Sequence, residues 1–319
     1  MNREGIIFNA LQRGNRLNIS NKWYKEHLEQ RVMPLINDDF DKGDITTDLL
    51  IKRDFPAKAV VYARQDGIIA GIEEVRFLYG KFGIEVANSV KDGIKAKSGD
   101  KLLELKGSVK TLFKIERRLL DILSRMSGIA TMTCLLRQLV NNNISVSATR
   151  KTLFPYIDKK AVFIGGGLTH RLALWDGVLI KNNHIFCIDF GLMDKSFFSM
   201  IDKQCSVVEL ETKDKDSAIS LLRNFIKYRQ ANHDSDLVII VMFDNMKPSD
   251  IKEGIDKIRG ISKTEIADSV LFEASGNITE KNINEYAHTG IDVISVGMLT
   301  HSVKGFDLNQ KIMKIFSIK

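Results

Sequence analysis

The feature that most constrains the fold is a repeat of about 30 residues in the second half of the chain. Each repeat contains a short apolar run rich in β-branched residues, a polar or small residue at its end, and a stretch with helical spacing. Apolar runs that alternate with helices predict parallel strands buried on both faces. The runs are Ile144 to Ala148, Val178 to Ile180, Ser206 to Leu210, Leu237 to Phe243, Val270 to Ala274 and Val293 to Val296.

The residues at the carboxyl ends of these predicted strands are polar or small. They are Arg150, Lys181, Glu211, Asp244, Ser275 and Gly297. A (β/α) barrel builds its active site at the carboxyl ends of its strands, and a complete barrel has eight strands. We therefore predict an α/β fold with an incomplete barrel of six or seven parallel strands, whose active site lies at that end.

The first half of the chain has mixed α and β patterns and fewer motifs that carry chemistry. Its clearest element is an amphipathic helix predicted from Thr111 to Val140, with a break at Ser127 and Gly128. Arg117 and Asp121 lie one turn apart on one face of this helix. That spacing alone indicates a solvated charged face on a core helix.

The composition limits the classes of protein. With 44% hydrophobic and 27% charged residues, the 319-residue chain resembles a globular protein with a full core. The net charge of +7 comes without a dense basic run, so small anionic ligands are favoured over nucleic acid. The three cysteines lack metal-ligand spacing, and no apolar run approaches the roughly 20 residues of a membrane helix. Without a signal-peptide pattern, the sequence predicts a cytoplasmic protein with no membrane partner.

Cationic residues cluster around two of the predicted strand ends. Arg150 and Lys151 follow the first strand, Lys181 follows the second, and the pair His170-Arg171 lies between them. Clustered cations repel one another, so the cluster indicates a site for phosphates or carboxylates. A lone histidine is more often structural than functional, but beside Arg171 the ring of His170 is equally a candidate donor to a substrate carboxylate.

Two carboxylates are predicted to lie in this cationic site. Glu211 and Asp244 end neighbouring strands. They suit Mg2+, which is held through carboxylates and substrate phosphate oxygens, and they also suit a positive charge developing on a sugar ring. A structural role as counter-ions to Lys151 or Lys181 is compatible with either function.

Small residues after the last two predicted strands indicate a phosphate site. Ser275 and Gly276 follow one strand and Gly297 follows the other, with Asn277 beside them. Small side chains let backbone N–H groups approach a phosphate, although a glycine at a strand end is often only part of a turn.

A series of motifs resembles one known family, and the motifs run in family order over most of the chain. They are G-D-I-T-T (Gly43 to Thr47), E-R-R-L-L-D-I-L-S-R-M-S-G-I-A-T (Glu116 to Thr131), A-T-R-K-T (Ala148 to Thr152), G-G-G-L-T-H-R (Gly165 to Arg171), V-L-I-K-N-N-H (Val178 to His184), E-L-E (Glu209 to Glu211), F-D-N-M-K-P (Phe243 to Pro248), E-A-S-G-N-I-T (Glu273 to Thr279) and D-V-I-S-V-G-M-L-T-H-S (Asp292 to Ser302). Together they resemble the type II phosphoribosyltransferases, specifically the quinolinate phosphoribosyltransferases.

The resemblance implies an enzyme that joins quinolinate to 5-phosphoribosyl-1-pyrophosphate. It would release pyrophosphate and CO2 and form nicotinate mononucleotide, with Mg2+ required, in NAD biosynthesis. Residues 1–22 are polar and weakly patterned, which predicts an N-terminal extension or a loose leading helix. The resemblance also implies an α/β sandwich domain over residues 23–134, completed by a C-terminal helix over residues 305–319. The incomplete barrel, with the active site, would occupy residues 135–304. The subunits would pair as homodimers with shared active sites, and higher oligomers stay open.

The family's functional residues carry over by motif. Residues implied to bind quinolinate are Arg117, Arg150, His170, Arg171 and Lys181, with Arg117 supplied by the partner subunit. Residues implied to be catalytic, and to serve the phosphoribosyl pyrophosphate, are Lys151, Glu211 and Asp244. The Mg2+ ligands would be Glu211 and Asp244, partly through substrate and water. Residues implied to lie at the 5-phosphate are Ser275, Gly276, Asn277 and Gly297.

The sequence departs from the family pattern at several places, among them Asp121, which replaces a usual asparagine, and the N-terminal extension. The segment from Leu153 to Ile157 is shorter and lacks a usual glycine and arginine, which bears on acceptor choice. Asn277 replaces a glycine, although asparagine tolerates positive φ better than most residues. Residues 224–236 are longer than usual, which predicts a surface insertion. Two alternatives therefore remain: transfer to another acceptor such as nicotinate, and a non-catalytic ligand-binding homologue, against which the retained charge cluster argues.

Overall fold

The computed structural model describes residues 2–141, 144–187, 195–213, 215–232, 234–261 and 269–316. The helices are α1 (Arg3–Leu11), α2 (Lys22–Asp38), α3 (Ile45–Leu50), α4 (Ile72–Lys81), α5 (Val109–Leu139), α6 (Pro155–Ile164), α7 (Asn182–Cys187), α8 (Lys195–Asp202), α9 (Lys215–Ala231), α10 (Pro248–Ile261) and α11 (Met298–His301). The strands are β1 (Pro56–Ala63), β2 (Gly67–Ile68), β3 (Glu85–Ser89), β4 (Lys95–Ala96), β5 (Lys101–Ser108), β6 (Ser145–Ser147), β7 (Val178–Ile180), β8 (Val207–Thr212), β9 (Val238–Asp244), β10 (Val270–Ser275), β11 (Val293–Ser295) and β12 (Leu308–Ile315).

The chain forms two compact units. The barrel unit comprises Met1–Arg13, Leu135–Pro155 and Gly167–His301. The sandwich unit comprises Gly14–Cys134, Tyr156–Gly166 and Ser302–Lys319.

The barrel unit contains a parallel sheet in the order β6-β11-β10-β9-β8-β7. A parallel bridge from Ser147 to Leu168 adds a seventh segment beside β6. From β7 the neighbouring strands are β8, β9, β10 and β11 in chain order, followed by β6 and the segment at Leu168. In the described ranges no backbone pairing joins Leu168 to β7, so the barrel is open between these two segments. The predicted incomplete barrel of six or seven parallel strands is therefore confirmed.

The amino-terminal ends of the barrel strands are closed by helix α1. Its buried residues Ile7, Ala10 and Leu11 pack in one apolar cluster. Their partners from the barrel are Leu168, Val207, Ile240, Leu271 and Val293. The first residues of the chain were predicted to form an extension or a loose leading helix. A helix forms over Arg3–Leu11, but it is not loose, because its apolar side chains pack against the barrel end and are buried there.

A charged residue fastens the start of α1 to the sheet. Arg3 donates from Nε to Asp292 Oδ1 at 2.6 Å and from Nη2 to Asp292 Oδ2 at 2.7 Å. The same Nη2 also donates to the carbonyl of Val270 at 2.9 Å. Such a bidentate charge pair fixes both position and orientation.

The sandwich unit contains an antiparallel sheet in the order β12-β1-β5-β3. Strand β12 pairs with β1 from Leu308 opposite Ala63 to Ile315 opposite Ala57. The prediction of a helix over residues 305–319 is therefore wrong. The segment lies at an edge of the sheet, is half-buried or exposed throughout, and carries two lysines, all of which suit an edge strand that faces water.

Helix α5 continues without interruption through Ser127 and Gly128, so the predicted break is wrong. A Cβ on Gly128 would lie 2.1 Å from the carbonyl oxygen of Lys304, and Ser127 Oγ accepts the amide of Ala70 at 3.0 Å. Both small residues allow close packing against neighbouring backbone. By length and composition α5 could cross a membrane, but 56% of its apolar window is buried inside the protein, as in a core helix.

Two segments that depart from the family pattern, residues 153–157 and 224–236, contribute to helices. Pro155 begins helix α6, a position where proline's fixed φ and missing N–H are well tolerated. The predicted surface insertion over residues 224–236 supplies the end of helix α9, and residue 233 lies outside the described residues. Phe225 and Tyr228 in this segment are buried, so this part belongs to the core and the prediction of a surface insertion is wrong there.

Candidate active site

The interior of the barrel is built in layers, because alternate residues of a strand face the same side. The apolar cluster at the bottom contains Leu168, Val207, Ile240, Leu271 and Val293. Two residues further along the same segments come His170, Glu209, Met242, Glu273 and Ser295. Another two residues along β8, β9, β10 and β11 come Glu211, Asp244, Ser275 and Gly297. The predicted functional residues of these strands thus share the carboxyl end of the barrel.

The two predicted carboxylates lie on adjacent strands and are half-buried. Glu211 Oε1 accepts hydrogen bonds from the backbone and side-chain N–H groups of Asn182 at 3.4 and 3.2 Å. Its other oxygen lies 3.8 Å from Lys181 Nζ. Within the described residues, the carboxylate of Asp244 forms no ion pair or hydrogen bond. Two accessible oxygen donors of this kind fit a hard divalent cation such as Mg2+.

The cations converge at the same end. Burial lowers the pKa of Arg171, and the charge of Arg150 acts in the same direction, which places the two guanidinium groups within electrostatic range. Arg171 Nη1 donates to the carbonyl of Gly177 at 3.0 Å, which fixes the direction of its side chain. Lys151 reaches Gly297, where an added Cβ would lie 3.3 Å from Lys151 Cδ. A ligand here meets several positive charges at once.

The turns after β9 and β10 touch each other beside this site. Gly276 has φ of 95° and Asn277 has φ of 51°, so the expectation that asparagine supports a left-handed turn is confirmed. Asn277 Nδ2 donates to Asn245 Oδ1 at 2.9 Å. Ser275 lies opposite Asp244 in the sheet register. The turn thus presents small residues and backbone amides next to a carboxylate.

His170 lies one layer deeper than its neighbour Arg171. Its Nε2 is 3.1 Å from Glu209 Oε2 and 3.4 Å from Glu273 Oε2. Its Nδ1 accepts the amide of Arg171 at 2.8 Å. Both glutamates are buried, and neither was predicted as a functional residue. The sequence could have indicated them, because alternate residues of a strand face the same side and Glu209 and Glu273 each lie two positions before a predicted site residue.

Arg117 lies in the sandwich unit, on helix α5. Its Nη1 is 3.7 Å from Asp121 Oδ1, and 65% of its side chain is exposed. This is the solvated charged face that the helical spacing predicted. A guanidinium so exposed can contact another molecule.

An incomplete parallel barrel with cations, carboxylates and a glycine turn at its carboxyl end defines an enzyme acting on small anionic, phosphate-bearing molecules. The family model "Quinolinate phosphoribosyl transferase, N-terminal domain" matches residues 44–127, and the model for the C-terminal domain matches residues 129–311. The chain belongs to the quinolinate phosphoribosyltransferase family.

Individual relatives agree with this assignment. A probable nicotinate-nucleotide pyrophosphorylase (carboxylating) from Methanothermobacter thermautotrophicus is 34% identical, covering 88% of this chain and 97% of the relative. Quinolinate phosphoribosyltransferase (decarboxylating) 1b from Nicotiana tabacum is 32% identical, covering 88% of this chain and 80% of the relative. The solved nicotinate-nucleotide pyrophosphorylase from Francisella tularensis superimposes with a TM-score of 0.73 at 30% identity, covering 90% of this chain and 96% of that one.

Proposed function

We propose that this protein transfers the phosphoribosyl group of 5-phosphoribosyl-1-pyrophosphate to quinolinate with decarboxylation, forming nicotinate mononucleotide, pyrophosphate and CO2. The observation that carries the proposal is the convergence of Arg150, Arg171 and Lys181 with Glu211 at one barrel end, in a chain of this family. Cys134, Cys187 and Cys205 are thiols in the structure, which suits a protein that works in the reducing cytoplasm.

The cations would hold quinolinate, which is a dianion. Arginine binds carboxylates through two parallel N–H donors, so Arg150 and Arg171 suit this role better than lysines would. The contact between Arg171 and Gly177 orients one guanidinium before substrate arrives. Lys181 adds a third positive charge, which Glu211 partly balances in the absence of substrate. This arrangement positions the pyridine nitrogen for attack on the ribose C1.

The carboxylates and Lys151 would serve the phosphoribosyl donor. Loss of pyrophosphate leaves oxocarbenium-like positive charge at the ribose C1, and the carboxylate of Glu211 or Asp244 can stabilise it electrostatically. Lys151 lies beside Gly297, where its ammonium group can contact phosphate oxygens. Mg2+, which Glu211 and Asp244 would hold partly through substrate and water, supplies charge neutralisation of the leaving pyrophosphate.

Decarboxylation then follows from the product of the transfer. Once the pyridine nitrogen carries the ribosyl group, the ring is cationic and accepts the electron pair released as the adjacent carboxylate leaves as CO2. The vacated ring carbon takes a proton. The protein's contribution to this step is to keep the substrate in place among its cations.

The activity test is formation of nicotinate mononucleotide from quinolinate, donor and Mg2+, with nicotinate as the competing acceptor. Arg150→Ala is expected to lower kcat/KM for quinolinate at least about 100-fold, because it removes a bidentate carboxylate contact. The matched control is Arg223→Ala, on the exposed face of α9, with unchanged kinetics expected. Product from nicotinate but not from quinolinate would contradict the proposed acceptor.

We further propose a homodimer in which Arg117 completes the partner's site. Arg117→Ala and Lys151→Ala would each be inactive as pure dimers. When the two variants are mixed and their subunits exchange, half of the dimers contain one subunit of each variant. Each such dimer has one intact site of two, so the mixture is expected to recover about a quarter of wild-type activity. A mixture that stays inactive after confirmed subunit exchange would contradict the proposal that Arg117 of one subunit completes the active site of the other.

A further inference from the structure

Two glutamates in the polar middle layer of the barrel, Glu209 and Glu273, have no part in the function proposed above. His170, Glu209 and Glu273 are all buried, and Glu209 and Glu273 are 2% and 1% exposed. Both glutamates lie below Glu211 and Ser275 on their strands, too deep to contact a substrate at the barrel end. Buried carboxylates are costly unless they are partnered, so their presence here needs an explanation.

The imidazole of His170 is held at both nitrogens. Nδ1 accepts the amide hydrogen of Arg171, so Nδ1 carries no proton in this hydrogen bond. The ring proton must then lie on Nε2, which faces Glu209 and Glu273 at 3.1 and 3.4 Å. Within the described residues, neither the other oxygen of Glu209 nor either oxygen of Glu273 has a hydrogen-bond partner. The Nε2–H group therefore donates to Glu209 Oε2, and Glu273 Oε2 lies beside it within ion-pair distance.

The same three residues could in principle hold a metal ion, because their ligand atoms all lie within 4.8 Å of one another. A metal on Nε2 would displace the proton there. A histidine that binds a metal through one ring nitrogen usually donates the N–H of the other to a carboxylate or carbonyl, whereas here Nδ1 accepts a hydrogen bond from a backbone amide. The geometry therefore favours a hydrogen-bonded cluster over a metal site.

The cluster acts on the backbone that carries a substrate cation. His170 has φ of 55°, a left-handed conformation that is uncommon for residues other than glycine, although histidine, asparagine and aspartate adopt it more often than the rest. The bond from the Arg171 amide to the ring stabilises that turn, and the glutamates stabilise the ring. Directly beyond the turn, Arg171 extends toward Gly177 and the site.

We propose that Glu209 and Glu273 are positioning residues that hold the His170 ring, which in turn aims Arg171 at a carboxylate of quinolinate. The inference rests on the proposed function, since Arg171 matters here as a substrate ligand. Glu209 and Glu273 act through His170 and touch no substrate.

The test compares two double variants that differ in the ability to accept a hydrogen bond. Glu209→Leu with Glu273→Leu keeps the approximate volume and removes both acceptors, whereas Glu209→Gln with Glu273→Gln keeps acceptor oxygens without charge. We expect the leucine pair to raise the quinolinate KM at least about tenfold while the KM for the phosphoribosyl donor changes less than about threefold. The glutamine pair should keep both values within about threefold of wild type.

Several results would overturn the inference. An unchanged quinolinate KM in the leucine pair would do so, as would equal rises in both KM values or a glutamine pair as defective as the leucine pair. A stoichiometric transition metal in wild-type protein that is lost from the leucine pair would assign the cluster to metal binding. Wild-type protein that does not turn over quinolinate would overturn the proposed function itself, and this inference with it.

A second variant decides the matter if the leucine pair fails to fold. His170→Asn keeps a residue that tolerates positive φ, but its side chain is too short to reach both the amide and the glutamates. The same quinolinate-specific rise in KM is expected, with the thermal midpoint measured alongside. An unchanged quinolinate KM in folded His170→Asn protein would refute the positioning role.

Discussion

Gly276 offers a prediction whose size follows from the geometry of the turn after β10. In Gly276→Ala the φ of 95° would strain an L-residue by about 1–2 kcal/mol. The new Cβ would also lie 2.4 Å from Asn245 Oδ1, so that side chain must move. Moving it breaks the bond from Asn277, which is worth about 0.5–1.5 kcal/mol. Together the free energy of unfolding should fall by about 1.5–3.5 kcal/mol.

The same change should weaken binding of the phosphoribosyl donor. Because the turn would present its amides to the 5-phosphate, we expect the KM for the donor to rise at least about tenfold with the quinolinate KM nearly unchanged.

The control is Gly260→Ala in helix α10, where an added Cβ meets nothing within 4 Å. There the alanine should stabilise the protein by about 0.5–1 kcal/mol. Urea denaturation and steady-state kinetics measure both effects. Gly276→Ala protein with wild-type stability and donor KM would refute this account of the turn.

Two further predictions concern stability. Leu11→Ala creates a cavity in the apolar cluster at the amino-terminal end of the barrel and should lower the free energy of unfolding by about 2–5 kcal/mol. The control is Phe8→Ala on the same helix, where the side chain is 49% exposed and the change should be less than about 0.5 kcal/mol. Equal effects in urea denaturation would show that α1 does not close the barrel. Asp44 caps helix α3, and its hydrogen bonds with Thr47 lower the pKa of its carboxyl group. Because the folded pKa lies below the unfolded one, this stabilisation is present at neutral pH and lost as the pH falls through about 4 and below. Asp44→Ala should thus cost about 0.5–2 kcal/mol at pH 7 and less at pH 3, where only the contribution of the charge is reduced, while Asp44→Asn keeps a neutral cap and shows no such pH dependence. A cost for Asp44→Ala that is equal at both pH values would contradict the assignment.

The barrel strands could be predicted because they are buried on both faces. A run such as Val238 to Phe243 has few alternatives once the chain around it alternates with helices. The top layer of the site followed from the same reasoning, since Glu211 and Asp244 stand where strands end. Arg150 and Lys181 were recognisable because cations rarely cluster without an anion.

The remaining features depend on contacts between distant parts of the chain. Gly128 looks like a helix breaker until Lys304 is known to pack against it. Residues 308–315 have the apolar spacing of a short helix, at Leu308, Ile312 and Ile315, and only the pairing with β1 makes them a strand. Helix α1 is short, and the barrel end that its apolar residues cover supplies the stabilisation. Glu209 and Glu273 gain meaning only from the position of His170.

The most direct test of the central claim is release of labelled CO2 from quinolinate that carries the label in the carboxyl group next to the ring nitrogen. The account predicts one CO2 for each nicotinate mononucleotide formed, and none when either the phosphoribosyl donor or Mg2+ is left out. Folded protein that releases no CO2 with all three present would contradict it.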